Sequence, residues 1–532
     1  MSQSAGILAL PTEILTKIFE DDSIAPDQLL SLALVCRTFH FIALPLYLAE
    51  HGFRPSSTQV SIQMGPRGCK LLTGLLIALF TPKTDSIHCT FPHPSGTSIF
   101  PLLPYLERLE RYISRLSSVE SVSLDFSSSG CPEPSRCRCL STGDDTALRA
   151  WGAHLRRLLN CIVRKNCSSL SFNGGTAFTA AYEPAPPPPP RTRFASIRNI
   201  LPRIFLPRRT VKGFQRVAEQ GRQDVKMSLP MFLGLTSNLR SLSIGSAILI
   251  LPPALNWTLM ALRPIESLTL RTRAVTAIQW RSVLPLIATA ARSLTSLDLW
   301  VTERIPPSRT DILQFISCLP RLRSLQVFEL RENQDQDSPP IRVHLPALDT
   351  IQATPAFVHD LLRHPSSRTP KLQSLNLPCF RVRSAFDFAT TSTSMKYIVQ
   401  TLNKYGVSPY IQIFVKMSCD LLENYTCTTV DLTQYKCPSH YRFAGITILR
   451  IDHTLTFTVE DVPILAAWIA LCPSAQRVEL TDPRGLLRTA RKDAELGKAI
   501  RETVKATGLL DRVIVNGVVY ELDAGSSAAV SR

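Results

Sequence analysis

Apolar and polar residues alternate in a short phrase that returns at a near-constant step. The segments Leu239–Ile244, Ile265–Leu270, Leu294–Leu299, Leu322–Val327, Leu348–Ala353 and Leu372–Leu377 share one order. Each reads apolar, two polar or charged residues, apolar, polar, apolar. The first residues stand at 239, 265, 294, 322, 348 and 372, so the steps are 26, 29, 28, 26 and 24. The closing alternation predicts a strand with one buried face. Weaker copies lie at Val119–Leu124, Cys167–Phe172, Ile446–Ile451 and Ala475–Leu480, with Thr84–Cys89 and Leu510–Val515 as expected first and last units. Helical spacing marks Leu103–Leu116, Trp151–Arg164, Leu284–Ala291, Asp311–Cys318, Phe357–Arg363 and Val462–Cys472. The predicted unit is therefore helix, short loop, strand. A single unit cannot bury both its strand and its helix. Stacked units can, which predicts an α/β solenoid with a parallel sheet inside and helices outside.

Register follows from the same phrase. A Ser or Thr precedes the middle apolar residue in nearly every copy, from Ser121 to Ser374, and a small side chain there keeps a close ladder uncrowded. The polar residues Ser243, Thr269, Asp298, Gln326, Gln352 and Asn376 are expected in one outward row. Arg271, Trp300 and Phe328 are expected in the next. An exposed Trp and Phe beside an Arg is the type of cluster that anchors a protein partner. Arg271, Asp298, Trp300, Gln326 and Phe328 are thus the candidate target-binding residues.

The first fifty residues follow a different pattern. Leu10, Ile14, Leu15, Ile18 and Phe19 recur at helical spacing, and Pro11 suits a first turn. Asp21, Asp22 and Pro26 are expected to end this helix, and Asp27 to cap the next. Leu29 to Cys36 is apolar almost all round, which predicts an enclosed second helix. A third fits Thr38 to Leu48. Three short helices bury too little surface to stand alone, so their spare apolar face calls for a partner.

Leu10-Pro11, Glu13-Ile14-Leu15 and Val35-Cys36-Arg37 stand in the order of the F-box, and residues 1–52 resemble that module. Phe39 and His40 stand where the family often carries Trp. The resemblance implies a three-helix fold that binds the adaptor subunit of an SCF-type cullin–RING ubiquitin ligase, and through it a cullin. Residue by residue it implies adaptor contacts at Leu10, Pro11, Ile14, Leu15, Val35 and Cys36. The later phrase resembles leucine-rich repeats over residues 70–523, without that family's Asn or Cys ladder after the strand: Trp300, Val301 and Thr302 follow Leu299. Such F-box families are expanded in fungi. The implied division is one of holding, not chemistry: helices for the adaptor, solenoid for an unknown protein target, whether in ubiquitination or, as an alternative, in a role outside it.

Composition changes the picture in one place. The chain has 532 residues and a formal net charge of +17. Length alone points to about three or four domains, unless a repeat makes one long one. Five prolines run from Pro186 to Pro190, and Arg191 to Arg222 carries nine Lys or Arg against Glu219, a net +8. Residues 182–223 are expected to be a disordered insertion, since a proline run resists packing. Basic charge admits nucleic acid or another anionic surface as a partner, but Phe194, Phe205 and Phe214 are too few and too scattered for base stacking. Residues 524–532 are an expected flexible tail. Fourteen cysteines sit mostly singly in apolar segments. Cys131, Cys137 and Cys139, and Cys427, Cys437 and His440, lack the spacing of a structural zinc site. Phosphate loops, nucleophile elbows and zinc-helix motifs are missing. No catalytic residue, metal or cofactor is expected. A chain without an apolar start or a long apolar run is expected in the cytoplasm or nucleus.

Overall fold

A computed structural model of the chain describes residues 7, 10–21, 23–54, 57–79, 84–92, 102–126, 145–174, 238–250, 254–271, 275, 277–301, 307–329, 340–380, 388–407, 409–417, 445–453, 469–481, 498, 512–515 and 518–521. The proline-rich basic segment at 182–223, the tail at 524–532 and both cysteine clusters lie outside them. The chain divides into two compact units, Met1–Ser293 and Leu294–Arg532.

The first unit opens with α1 (Thr12–Phe19), α2 (Pro26–Ala33) and α3 (Arg37–Glu50). Pro26 starts α2 rather than ending α1. It occupies the first turn, and the Gln28 side-chain oxygen accepts from the Ala25 N–H at 2.9 Å. Asp27 therefore lies inside the helix and does not cap it. The helix also stops at Ala33, so Leu34 and Val35 form a turn. Strand and helix then alternate: β1 (Gln59–Gln63), α4 (Pro66–Ile77), β2 (Ser86–Thr90), α5 (Leu103–Arg115), β3 (Ser121–Phe126), α6 (Asp145–Arg164), β4 (Ser169–Gly174), β5 (Ser241–Gly245) and β6 (Ser267–Leu270). A helix at Leu255–Ala261 lies between the last two strands. These strands pair in chain order, each parallel to the next.

Alternation within each strand sets what is buried. Ile87, Val122, Leu170, Leu242 and Leu268 form one inward row, and Cys89, Leu124, Phe172, Ile244 and Leu270 the next. All ten are buried. Ser86, Ser121, Ser169, Ser241 and Ser267 stand beside one another, as the small-residue argument predicts. A repeated bond fixes this register. One carbonyl before each strand accepts two N–H groups from the following unit: Asp85 from Glu120 and Ser121, Glu120 from Ser168 and Ser169, Ser168 from Arg240 and Ser241. These bonds are 2.8 to 3.1 Å long. A slip of one residue would turn every leucine to solvent, so the register is strongly held. The Phe126 ring stacks on both Phe91 and Phe172, with ring centroids 4.1 and 4.9 Å apart.

The second unit repeats the plan. It contains β7 (Ser296–Val301), β8 (Ser324–Glu329), β9 (Thr350–Ala353), β10 (Ser374–Phe380), β11 (Tyr410–Met417), β12 (Ile448–His453), β13 (Arg477–Thr481), β14 (Arg512–Val515) and β15 (Val518–Glu521). Strands β7 to β14 are parallel in order, and β15 turns back antiparallel on β14. Helices Arg309–Ser317, Pro355–Leu362 and Phe388–Lys404 accompany them. Ser308 and Thr354 cap the first two, accepting from the Asp311 and Phe357 N–H groups. The doubly accepting carbonyls recur at Thr295, Arg323 and Asp349.

The fold is thus a helical N-terminal module followed by a mostly parallel sheet with helices, a solenoid-like α/β arrangement. Two units extend the expected series: β1 with α4, and the helix Phe388–Lys404 with β11. At β11 the pattern also shifts. Leu375 pairs with Ile411, but Leu449 pairs with Ile413, two residues further on. A shift of two keeps the inward face inward, and Ile411, Ile413, Leu449 and Ile451 all remain buried.

Candidate functional site

The N-terminal helices sort their apolar residues into two sets. On α1, Leu15 and Phe19 turn inward, and the Phe19 ring meets Phe39 of α3 edge-on at 5.1 Å. Ile14 and Ile18, one turn apart on the other face, are open to solvent. Leu10 is 39% exposed and Val35 67%. Pro11 is exposed and Cys36 half-buried. Leu15 is a correction: at 1% exposure it is core, and it cannot touch an adaptor without unpacking α1. Leu34, Ile18 and Phe41 are further exposed apolar residues that the motif did not single out. Ile18 was findable, lying four residues after Ile14. Leu34 was not, because the expected helix continued through it.

This module is tied to the first repeat. The Tyr47 hydroxyl donates to the Lys70 carbonyl at 2.9 Å, and Lys70 Nζ meets Asp27 at 2.8 Å. Gly74 of α4 lies so close to α3 that a Cβ there would come within 2.7 Å of the Tyr47 ring. Burial, first, and the Asp27 charge push the Tyr47 phenol up to about 12, so it stays a donor. His40, at the position where Trp was expected, is buried between α2 and the end of α4.

The candidate target residues divide between the units. Arg271 belongs to the first and is exposed. Asp298, Trp300, Gln326 and Phe328 belong to the second, where Asp298 pairs with Gln326 and Trp300 with Phe328 across β7 and β8. Asp298 and Gln326 are half-buried and continue into a row with Gln352 and Asn376. The expected exposed aromatic pair is a correction. Phe328 is 9% exposed and Trp300 is half-buried, with the two rings 4.3 Å apart. Parallel neighbours stand one strand spacing apart, so two aromatics there cover each other.

One polar cluster lies on the helices. Arg309 Nη1 meets Asp360 Oδ2 at 3.0 Å, and His359 Nδ1 lies 3.2 Å from Asp360 Oδ1. His359 also stands edge-on to Tyr397 at 4.6 Å. Adjacent helical residues ordinarily point apart, but both side chains reach sideways here and Arg309 holds Asp360 from the other side. Burial pushes the Asp360 carboxyl up, but His359 and Arg309 outweigh it and hold the group below its ordinary value. Among the described residues no group of three or more His, Cys, Asp or Glu is placed to hold a metal ion. Nor is any helix there long and apolar enough to cross a membrane.

Among protein families, F-box-like matches residues 7–51. The match begins just before α1 and ends just after α3, and it covers the exposed apolar set. No curated protein matches the chain. The N-terminal module is therefore F-box-like, and F-box domains bind the adaptors of SCF-type ubiquitin ligases. Target recognition within such a ligase is the family-level role of chains that carry one.

Proposed function

We propose that this chain is the target-recognition subunit of an SCF-type cullin–RING ubiquitin ligase. The observation that carries the reading is the exposure of Leu10, Ile14 and Val35 on the segment that matches F-box-like. Exposed apolar side chains on a segment that matches a protein-binding module mark a protein interface. Pro11 and Cys36 complete the adaptor-facing set, and Leu15 supports it from below. The strand face of the solenoid holds the target, with Asp298, Gln326 and the half-buried Trp300 as contacts; Arg271 is the first unit's candidate.

The mechanism is proximity. Binding at both ends raises the effective concentration of target lysines near a ubiquitin-loaded enzyme, and this chain supplies no chemistry. Affinity purification of the full chain tests it: the adaptor and a cullin should co-purify in near-equal amounts. Recovery of the chain without an adaptor, from cells that contain one, would remove the reading.

A further inference from the structure

We propose that His40 positions the Leu34–Val35 turn by clamping the end of α2 to the end of α4. The adaptor-facing surface is then held in shape by the first repeat unit. This rests on the adaptor-binding reading above.

His40 sits on α3 with its ring buried. Its Nε2 lies 3.0 Å from the backbone nitrogen of Leu79. A backbone N–H can only donate, so Nε2 accepts and carries no proton. The ring proton is therefore on Nδ1, which donates to the Ala33 carbonyl at 3.0 Å. Ala33 is the last residue of α2, where helix carbonyls lack partners of their own. Leu79 follows the C-cap of α4. A neutral imidazole offers one donor and one acceptor on opposite sides of a rigid ring, and so bridges these two chain ends. Phe or Leu would fill the space and leave a carbonyl and an N–H unsatisfied.

The clamp acts on the exposed residues directly. Leu34 and Val35 follow Ala33, with their N–H groups bonded to the Ser31 and Leu32 carbonyls at 3.1 Å. Leu34 is 66% exposed. A partner that docks on such side chains gains most when the backbone beneath them is already fixed. The Tyr47–Lys70 bond holds the other end of the same α3–α4 contact.

Hydrogen exchange on the full chain, read at Leu34 and Val35, tests the clamp. His40→Phe loses both bonds and should raise exchange there, and weaken binding of the purified SCF adaptor subunit, by about tenfold or more, since one lost hydrogen bond is already worth about tenfold. Leu79→Pro is the second variant. It removes the N–H that His40 accepts and leaves residues 1–78 unchanged. Ala78 already has φ −53° and ψ 124°, which suits the residue before proline. It should move exchange in the same direction, and the double variant should be no worse than His40→Phe alone. Unchanged exchange in a folded His40→Phe or Leu79→Pro chain overturns the inference, whatever the adaptor does. A wild-type chain that binds no adaptor removes the ligase reading instead, and the exchange result still decides the role of His40.

Discussion

The strands of the repeat and the N-terminal helices use the same residue types to opposite ends. In β2 to β6 both inward rows are sealed, and most of their members expose no surface at all. Just before α1, on it and in the turn after α2, Leu10, Ile14, Leu34 and Val35 stay open. The difference follows from repetition. Each strand row is covered by the next copy of itself and by the helix that follows. Among the described residues the helical module occurs once, so no copy of itself covers its outward face there. Apolar residues in the repeat hold the fold, and those on the module are available to a partner.

Breaking the sealed rows should have the largest effect. Leu242→Ala should cost about 2–5 kcal/mol and lower the midpoint of urea unfolding, because a cavity opens between two ladders. Phe328→Ala belongs with it at about 3 kcal/mol, now that Phe328 is core and not an exposed anchor. If either variant melts like wild type, the rows are not what holds the sheet.

The Arg309–Asp360 pair predicts a smaller, pH-dependent effect. Asp360 is held below its unfolded value of 3.8, so the folded state favours the charged carboxylate. Its contribution is present above that value and is lost as pH falls below it. Arg309→Met should cost about 1–2 kcal/mol near neutral pH, and the gap from wild type should close on acidification below about pH 4. A gap that widens with acid would show the sign to be wrong.

Much of the repeat was legible before the structure. The six copies of the phrase are β5 to β10, and within each unit the Ser/Thr row and both inward rows stand where alternation places them. The misses share a cause. Gln59–Gln63 and Tyr410–Met417 lack the full repeated phrase, so they fall outside the series read from it, and their parallel pairing places them in the sheet. The α2 boundary failed because a run of apolar residues does not say where a helix stops. His40 looked like a weakened motif position; its two backbone partners are 7 and 39 residues away. The His359–Asp360 contact carries no local signal, because adjacent helical residues diverge and the arginine that completes the cluster comes from 51 residues away. Local pattern identifies units, and long-range hydrogen bonds decide what the unusual residues do.

The most direct measurement compares wild type with the double variant Ile14→Asp, Val35→Asp in one full chain, recording adaptor affinity and melting temperature together. Both side chains are exposed, so the fold should lose little, and the melting point should stay within a few degrees. Two buried anchors are worth about 2 kcal/mol each at an interface, so affinity should fall several hundredfold or more. Undiminished adaptor binding, or unfolding of the variant, would contradict the division between residues that hold the fold and residues that hold the partner.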